Sequence, residues 1–119
     1  MNHKNISKLE EFLSEIAVKL GILETNCKFN APIECGTLYL DFRSKSQGKC
    51  NCINLKQLAV RPSKAHTIEV REVWVGFDAE GYSWSDSMGG LSIDCTGLGW
   101  KSAIEKCVTC IKNNFKDLF

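Results

Sequence analysis

The sequence predicts one α+β domain over residues 1–119, with an antiparallel sheet of about four to five strands and an N-terminal and a C-terminal helix packed on one face. Three observations predict it. An apolar stripe at helical spacing marks residues 7–20, and a second marks residues 100–115. Between them, apolar residues recur at alternate positions, the period of a strand. The predicted order is α-β-β-β-β-α.

Residues 7–20 carry Leu9, Phe12, Leu13, Ile16 and Leu20 three and four apart, which lines them up on one side of a helix. Ser7 and Glu10 have the spacing of a capping box, in which the Ser oxygen accepts a backbone N–H and the Glu reaches back. Gly21 stands where a left-handed C-cap is wanted.

In the first strand Leu38, Leu40 and Phe42 alternate with Tyr39 and Asp41. Ile53 and Leu55 open a second alternation that stops before Pro62. Residues 67–77 make the longest strand, and its apolar phase slips. Ile68 and Val70 lie on one parity, Val73, Val75 and Phe77 on the other. A β-bulge near Arg71 and Glu72 would put both sets on the core face. Residues 78–81 then form a hairpin loop, with Phe77 opposite Tyr82 and Val75 opposite Trp84. Trp74 falls on the outward face, beside Ser83 and Ser85. Ser87-Met88-Gly89-Gly90 reads as a loop or turn between strands.

Trp100, Ile104, Cys107, Val108, Ile111 and Phe115 form the apolar side of the second helix, with Trp100 expected in the core. The glycines before it faintly echo a phosphate-binding loop. The first Gly of that motif is absent, Asp94 stands in its place, and Trp100 separates Gly99 from Lys101. The glycines read instead as a turn leading into the helix.

A chain of 119 residues with 44% hydrophobic and 24% charged residues has enough apolar mass for one core without staples. The net charge of +1 gives no whole-molecule field toward nucleic acid or acidic membrane. Charges at Lys4, Lys8, Glu10, Glu11, Glu15 and Lys19 leave no apolar leader, and no apolar run is long enough to span a bilayer. Seven cysteines without an export signal point to a reducing cytoplasm and free thiols.

The cysteines invite a zinc reading. Cys50 and Cys52 would converge on one side of a strand, and Cys107 and Cys110 on one side of a helix. Two features oppose it. The C-x-C with C-x-x-C spacing is looser than that of zinc ribbons. If Ile53 and Leu55 face the helices, Cys50 and Cys52 face away from them. No metal or other cofactor is therefore expected, and Cys95 and Cys107 read as buried, inert thiols. A redox role for Cys107 and Cys110 needs a cysteine at a helix N-terminus, and Cys107 lies about two turns in. His3 and His66 are the two histidines, and no carboxylate pair shares an evident cleft. The expectation is a protein that is not an enzyme.

Charge is the pattern that carries a functional expectation. From Arg43 to Lys64 the charged residues are all basic: Arg43, Lys45, Lys49, Lys56, Arg61 and Lys64. From Glu72 to Asp94 they are all acidic, and Trp74, Tyr82 and Trp84 lie among them. The plain reading is strands that neutralise one another across the sheet. The functional reading is a small cytoplasmic protein-binding module, an inhibitor of the toxin-immunity or phage anti-defence type. Trp74, Asp78, Glu80 and Asp86 would occlude a basic site on a nuclease or other nucleic-acid-processing partner. The alternatives are a nucleic-acid-binding protein using the basic segment 43–64, and a zinc-stabilised domain.

Overall fold

One row of apolar side chains, Phe29, Leu38, Val60, Val70 and Leu91, runs across the strands at matching register positions. The computed structural model describes residues 3–30, 36–42, 55–77 and 83–119. In chain order the elements are α1 (His3–Lys19), β1 (Cys27–Asn30), β2 (Thr37–Asp41), β3 (Leu55–Pro62), β4 (Thr67–Phe77), β5 (Ser83–Asp94) and α2 (Trp100–Asn114). The sheet is an antiparallel meander in the order β1-β2-β3-β4-β5. The predicted α+β class holds. The strand the sequence reading lacks is β1, a four-residue edge in which half-buried Cys27 and Phe29 alternate with exposed Lys28 and Asn30, too short a run to stand out in the sequence.

Both helices cover the face on which the apolar row lies. Leu13, Ile16 and Ala17 of α1 and Ala103, Ile104, Cys107 and Ile111 of α2 pack with Leu38, Leu40, Phe42, Leu58, Val60, Ile68, Val70 and Ile93 in one buried cluster. Burying each such Leu, Ile or Val contributes about 1.5–3 kcal/mol. The other face carries Tyr39, Gln57, Arg61, Glu69, Arg71 and Val73, partly or largely exposed. Among the described residues no second layer covers it.

The helix ends differ in how well they follow expectation. α1 starts at His3, so Ser7 and Glu10 lie inside the helix and are not its capping box. Its C-terminus is as expected. Gly21 has φ +79°, its N–H bonds the Val18 carbonyl, and the Ile22 N–H bonds the Ala17 carbonyl. That pair of bonds is a Schellman motif, which glycine adopts without a Cβ clash. At α2 the core stripe holds, but Trp100 does not join it. Trp100 is 43% exposed; its ring meets Phe12 edge-on at 5.1 Å and its Nε1–H donates to Glu15 at 3.0 Å. It sits at the helix's first position, where an inward ring would have to pass under the preceding turn.

The register overturns the strand-phase reading. A register shift does fall at Arg71 and Glu72, but the extra residue is on β5: Arg71 pairs Gly90 and Glu72 pairs Met88, which skips Gly89. Against β3 the pairing of β4 runs unbroken from Ile68 to Val75. β4 therefore keeps one phase, and Trp74 takes the parity of Ile68 and Val70, the helix-covered side. Val73 and Val75 take the other parity, with Leu55, Gln57 and Ala59. The expected change of parity within β4 is therefore corrected: Val73 is half-buried on the open-side parity, and Trp74 shares the backbone parity of Ile68 and Val70. The hairpin pairing also shifts by one, with Phe77 opposite Ser83 and Gly76 opposite Trp84. A one-residue slip exchanges faces, which is why the two errors travel together. Ser87-Met88-Gly89-Gly90 is no loop; it lies inside β5 around the bulge.

Gly36, just before β2, is where backbone and ring approach most closely. A Cβ there would clash with the Phe29 ring and lie 3.0 Å from Leu9 Cδ2. Gly36→Ala should lower stability by about 1–3 kcal/mol, as forced overpacking does. Gly90→Ala meets only Arg71 at 3.9 Å and should stay within about 0.5 kcal/mol of the parent. Thermal melts of the two variants check both.

Candidate functional site

The expected binding face is built on the far end of the β4–β5 ribbon. β2 ends at Asp41, which is level with Val73 through Gln57, and β3 begins at Leu55, level with Val75. β4 and β5 run on beyond both. At this end the register sets Lys56, Trp74 and Asp86 in one row across three strands. One step further out Trp84 pairs Gly76, so Trp74 and Trp84 are diagonal neighbours of the same parity, with Asp86 beside them. Of the expected partner-binding residues, Trp74 and Asp86 are thus direct cross-strand partners. Asp78 and Glu80 lie outside the described residues. Trp84 is the residue that the sequence reading misses here. Its signal, an aromatic in an acidic run, was visible, but the assumed hairpin pairing put it opposite Val75.

Of the basic segment, the described side chains Arg61 and Lys64 do not share one surface. Arg61 pairs directly with Glu69 across β3 and β4, and its guanidinium lies 3.2 Å from the carboxylate. Arg71 bonds the same carboxylate from two residues along. Burial alone would raise the Glu69 pKa, but the bonds and charges of Arg71 and Arg61 hold it below its ordinary value. Strand-to-strand neutralisation is real at this point of the sheet. Lys64 is exposed in the β3–β4 turn at the opposite end from Lys56. Arg43, Lys45 and Lys49 lie outside the described residues, as do Cys50 and Cys52. β2 and β4 both end at the Lys56 end of the sheet.

Cys95 and Cys107 are buried, as expected. Cys107 is fully buried and Cys95 nearly so, with their Sγ atoms 3.9 Å apart. Cys110 and Cys27 are half-buried. Burial, and then the neighbouring Cys95, push the Cys107 thiol up to about 12. Among the described residues no group of three or more His, Cys, Asp or Glu side chains is placed to hold a metal ion. The argument that set the two cysteine pairs on opposite faces loses its premise, since Leu55 has the outward parity of Gln57 and Ala59.

Several hollows mark the described surface, among them two larger ones. One, of about 440 Å³, lies on the open sheet face among Asn26, Lys28, Asn30, Tyr39, Asp41 and Gln57. The other, of about 310 Å³, lies where α2 begins, between Phe12 of α1 and the β3–β4 turn. His66 lines the second. It closes the turn with φ +58°, a left-handed conformation that costs a side-chain-bearing residue about 1–2 kcal/mol. Its carbonyl accepts the Cys95 N–H at 2.7 Å, which holds the turn against the end of β5. No helix is long and apolar enough to cross a membrane. No protein-family model matches this chain, and no curated protein or solved structure is significantly similar to it.

The Cys107 shift has a pH consequence. The folded-state pKa lies above the ordinary thiol value, so the stabilisation is complete below about pH 9 and is lost as pH rises toward about 12. The parent should lose stability on the alkaline side more steeply than Cys107→Ala. Denaturant titrations from neutral pH to about 10 give the two slopes, and the gap between variants should narrow as pH rises.

Proposed function

We propose that this chain is a small protein-binding module, an inhibitor that covers a basic site on a nuclease or other nucleic-acid-processing protein. The observation that supports it best is the shared backbone parity of Trp74, Trp84 and Asp86 at the end of the β4–β5 ribbon; Asp78 and Glu80 follow β4 in the sequence. Paired aromatics with acidic neighbours are the composition of an interface anchor and its rim. Acidic rim charges would steer a cationic partner, and the tryptophans would hold it. On this reading the protein acts in the cytoplasm and needs no catalytic residue.

A second reading, nucleic-acid binding through residues 43–64, draws on the same end of the sheet, where Lys56 lies in the Trp74 row. Two facts count against it: Arg61 is already paired with Glu69, and Lys64 lies at the other end. Salt separates the readings, because phosphate binding falls steeply with ionic strength and an aromatic-anchored interface falls less.

A pull-down from the native host identifies the partner, and surface-based kinetics then test the site. Asp78→Lys with Glu80→Lys should slow association at low salt by roughly tenfold or more, because rim charges act on the encounter rate. Trp74→Ala and Trp84→Ala should speed dissociation, each by roughly tenfold or more, the loss expected of an anchor. Unchanged rates and salt dependence in all of these variants would move the interface off the ribbon.

A further inference from the structure

The cleft at the start of α2 belongs to neither reading above, and its chemistry is one-sided. Its apolar wall is Phe12, Ile68, Leu98, Trp100 and Ala103. Ile68 and Ala103 are buried, but Leu98 and Trp100 are 41% and 43% exposed, so two large apolar side chains stand in water at the mouth. Large apolar groups left in water beside a cavity gain when a ligand covers them.

The ionisable side chains of the lining are Lys64, His66 and Cys95, with no carboxylate among them. Glu15 accepts the Trp100 Nε1–H, and Asp94 accepts the Thr96 N–H at 2.9 Å and hydroxyl at 2.6 Å. The Asp94 carboxylate also lies within electrostatic reach of Lys106 and His66, so Lys64 is the lining cation that the neighbouring acids leave to a ligand. α2 itself begins at Gly99 with no side-chain cap bond and no acidic residue in its first turn. The cleft therefore pairs an apolar wall with a cationic edge.

We propose that this cleft binds the C-terminus of a partner polypeptide: a terminal apolar side chain against Phe12, Trp100 and Ala103, and the terminal carboxylate toward Lys64 and His66. The charge of the lining selects a carboxylate. The rest of the partner chain would leave past Leu98 and Trp100, the lining side chains that stand exposed. The inference deepens the protein-binding reading and rests on it, but it does not rest on the ribbon end, because the test uses a synthetic peptide.

The experiment is titration of the isotope-labelled full chain, by backbone amide NMR, with acetyl-Gly-Gly-Leu as free acid, with its C-terminal amide, and with octanoate. The free acid should give saturable shifts at residues 64–68 and 98–103, and it should bind roughly tenfold more tightly than the amide, the worth of one charge-assisted hydrogen bond. Lys64→Ala, an exposed turn substitution, should remove most of that difference while leaving the melting temperature unchanged. Several results would overturn the proposal. Acid and amide could bind equally, saturation could fail or map elsewhere, or Lys64→Ala could leave the preference intact. Octanoate as tight as the peptide would make the cleft a small-molecule site. Concentration-dependent shifts of the same amides without peptide would assign it to a second copy of this chain. The ribbon variants fail or succeed separately, so loss of one site is distinguishable from loss of the other.

Discussion

The fold depends on one register. Phe29, Leu38, Val60, Val70 and Leu91 come level only if every hairpin of the meander closes at its observed length. A slip of one residue in any strand would turn its apolar set to the open face and put polar groups under the helices. The stripes of α1 and α2 then have a single surface to cover, and Leu13, Ile16, Ile104, Cys107 and Ile111 seal it. The Arg61–Glu69 pair, directly across β3 and β4 on the open face, agrees with that register and with no neighbouring one.

The same constraint shapes the ribbon. Since β4 cannot change phase while β3 pairs with it, the extra residue has to sit on the free-edged strand, β5. Gly89 in the bulge serves this, because a bulge bends the strand and a residue without Cβ tolerates the bend. The result is a ribbon whose sides exchange character along its length. Near the helices the covered side is Ile68, Val70 and Ile93. Farther out that parity carries Glu72, Trp74, Asp86 and Trp84, while Val73 and Val75 take the open side. Polar and aromatic residues thus share one backbone parity at the end of the sheet for a structural reason.

The opposite end is organised around the launch of α2. The Asp94 carboxylate holds Thr96, Gly97 turns the chain with φ +78°, and Gly99 starts the helix. The Lys106 ammonium bonds the Asp94 carbonyl and ties the helix back to the end of β5. Trp100 is clasped by Phe12 and Glu15 at the rim instead of being driven inward. That clasp fixes the helices to each other and leaves the cleft beside it.

The amino-acid sequence by itself determined the class of fold, because helical and strand periods are local properties. The stripes of α1 and α2, the alternation of Leu38, Leu40 and Phe42, the Gly21 cap and the burial of Cys107 are all legible in it. It also located the irregularity at Arg71 and Glu72. Which strand carried the extra residue was not legible, because an apolar phase change within β4 looks the same whether the strand bulges or its open face becomes apolar. Only pairing with β3 decided that, and with it the side on which Trp74 and Trp84 lie. Tertiary structure likewise decided that Trp100 sits at the rim and that Lys64, His66 and the start of α2 meet around one cleft. These are contacts between residues distant in the chain, and no local periodicity encodes them.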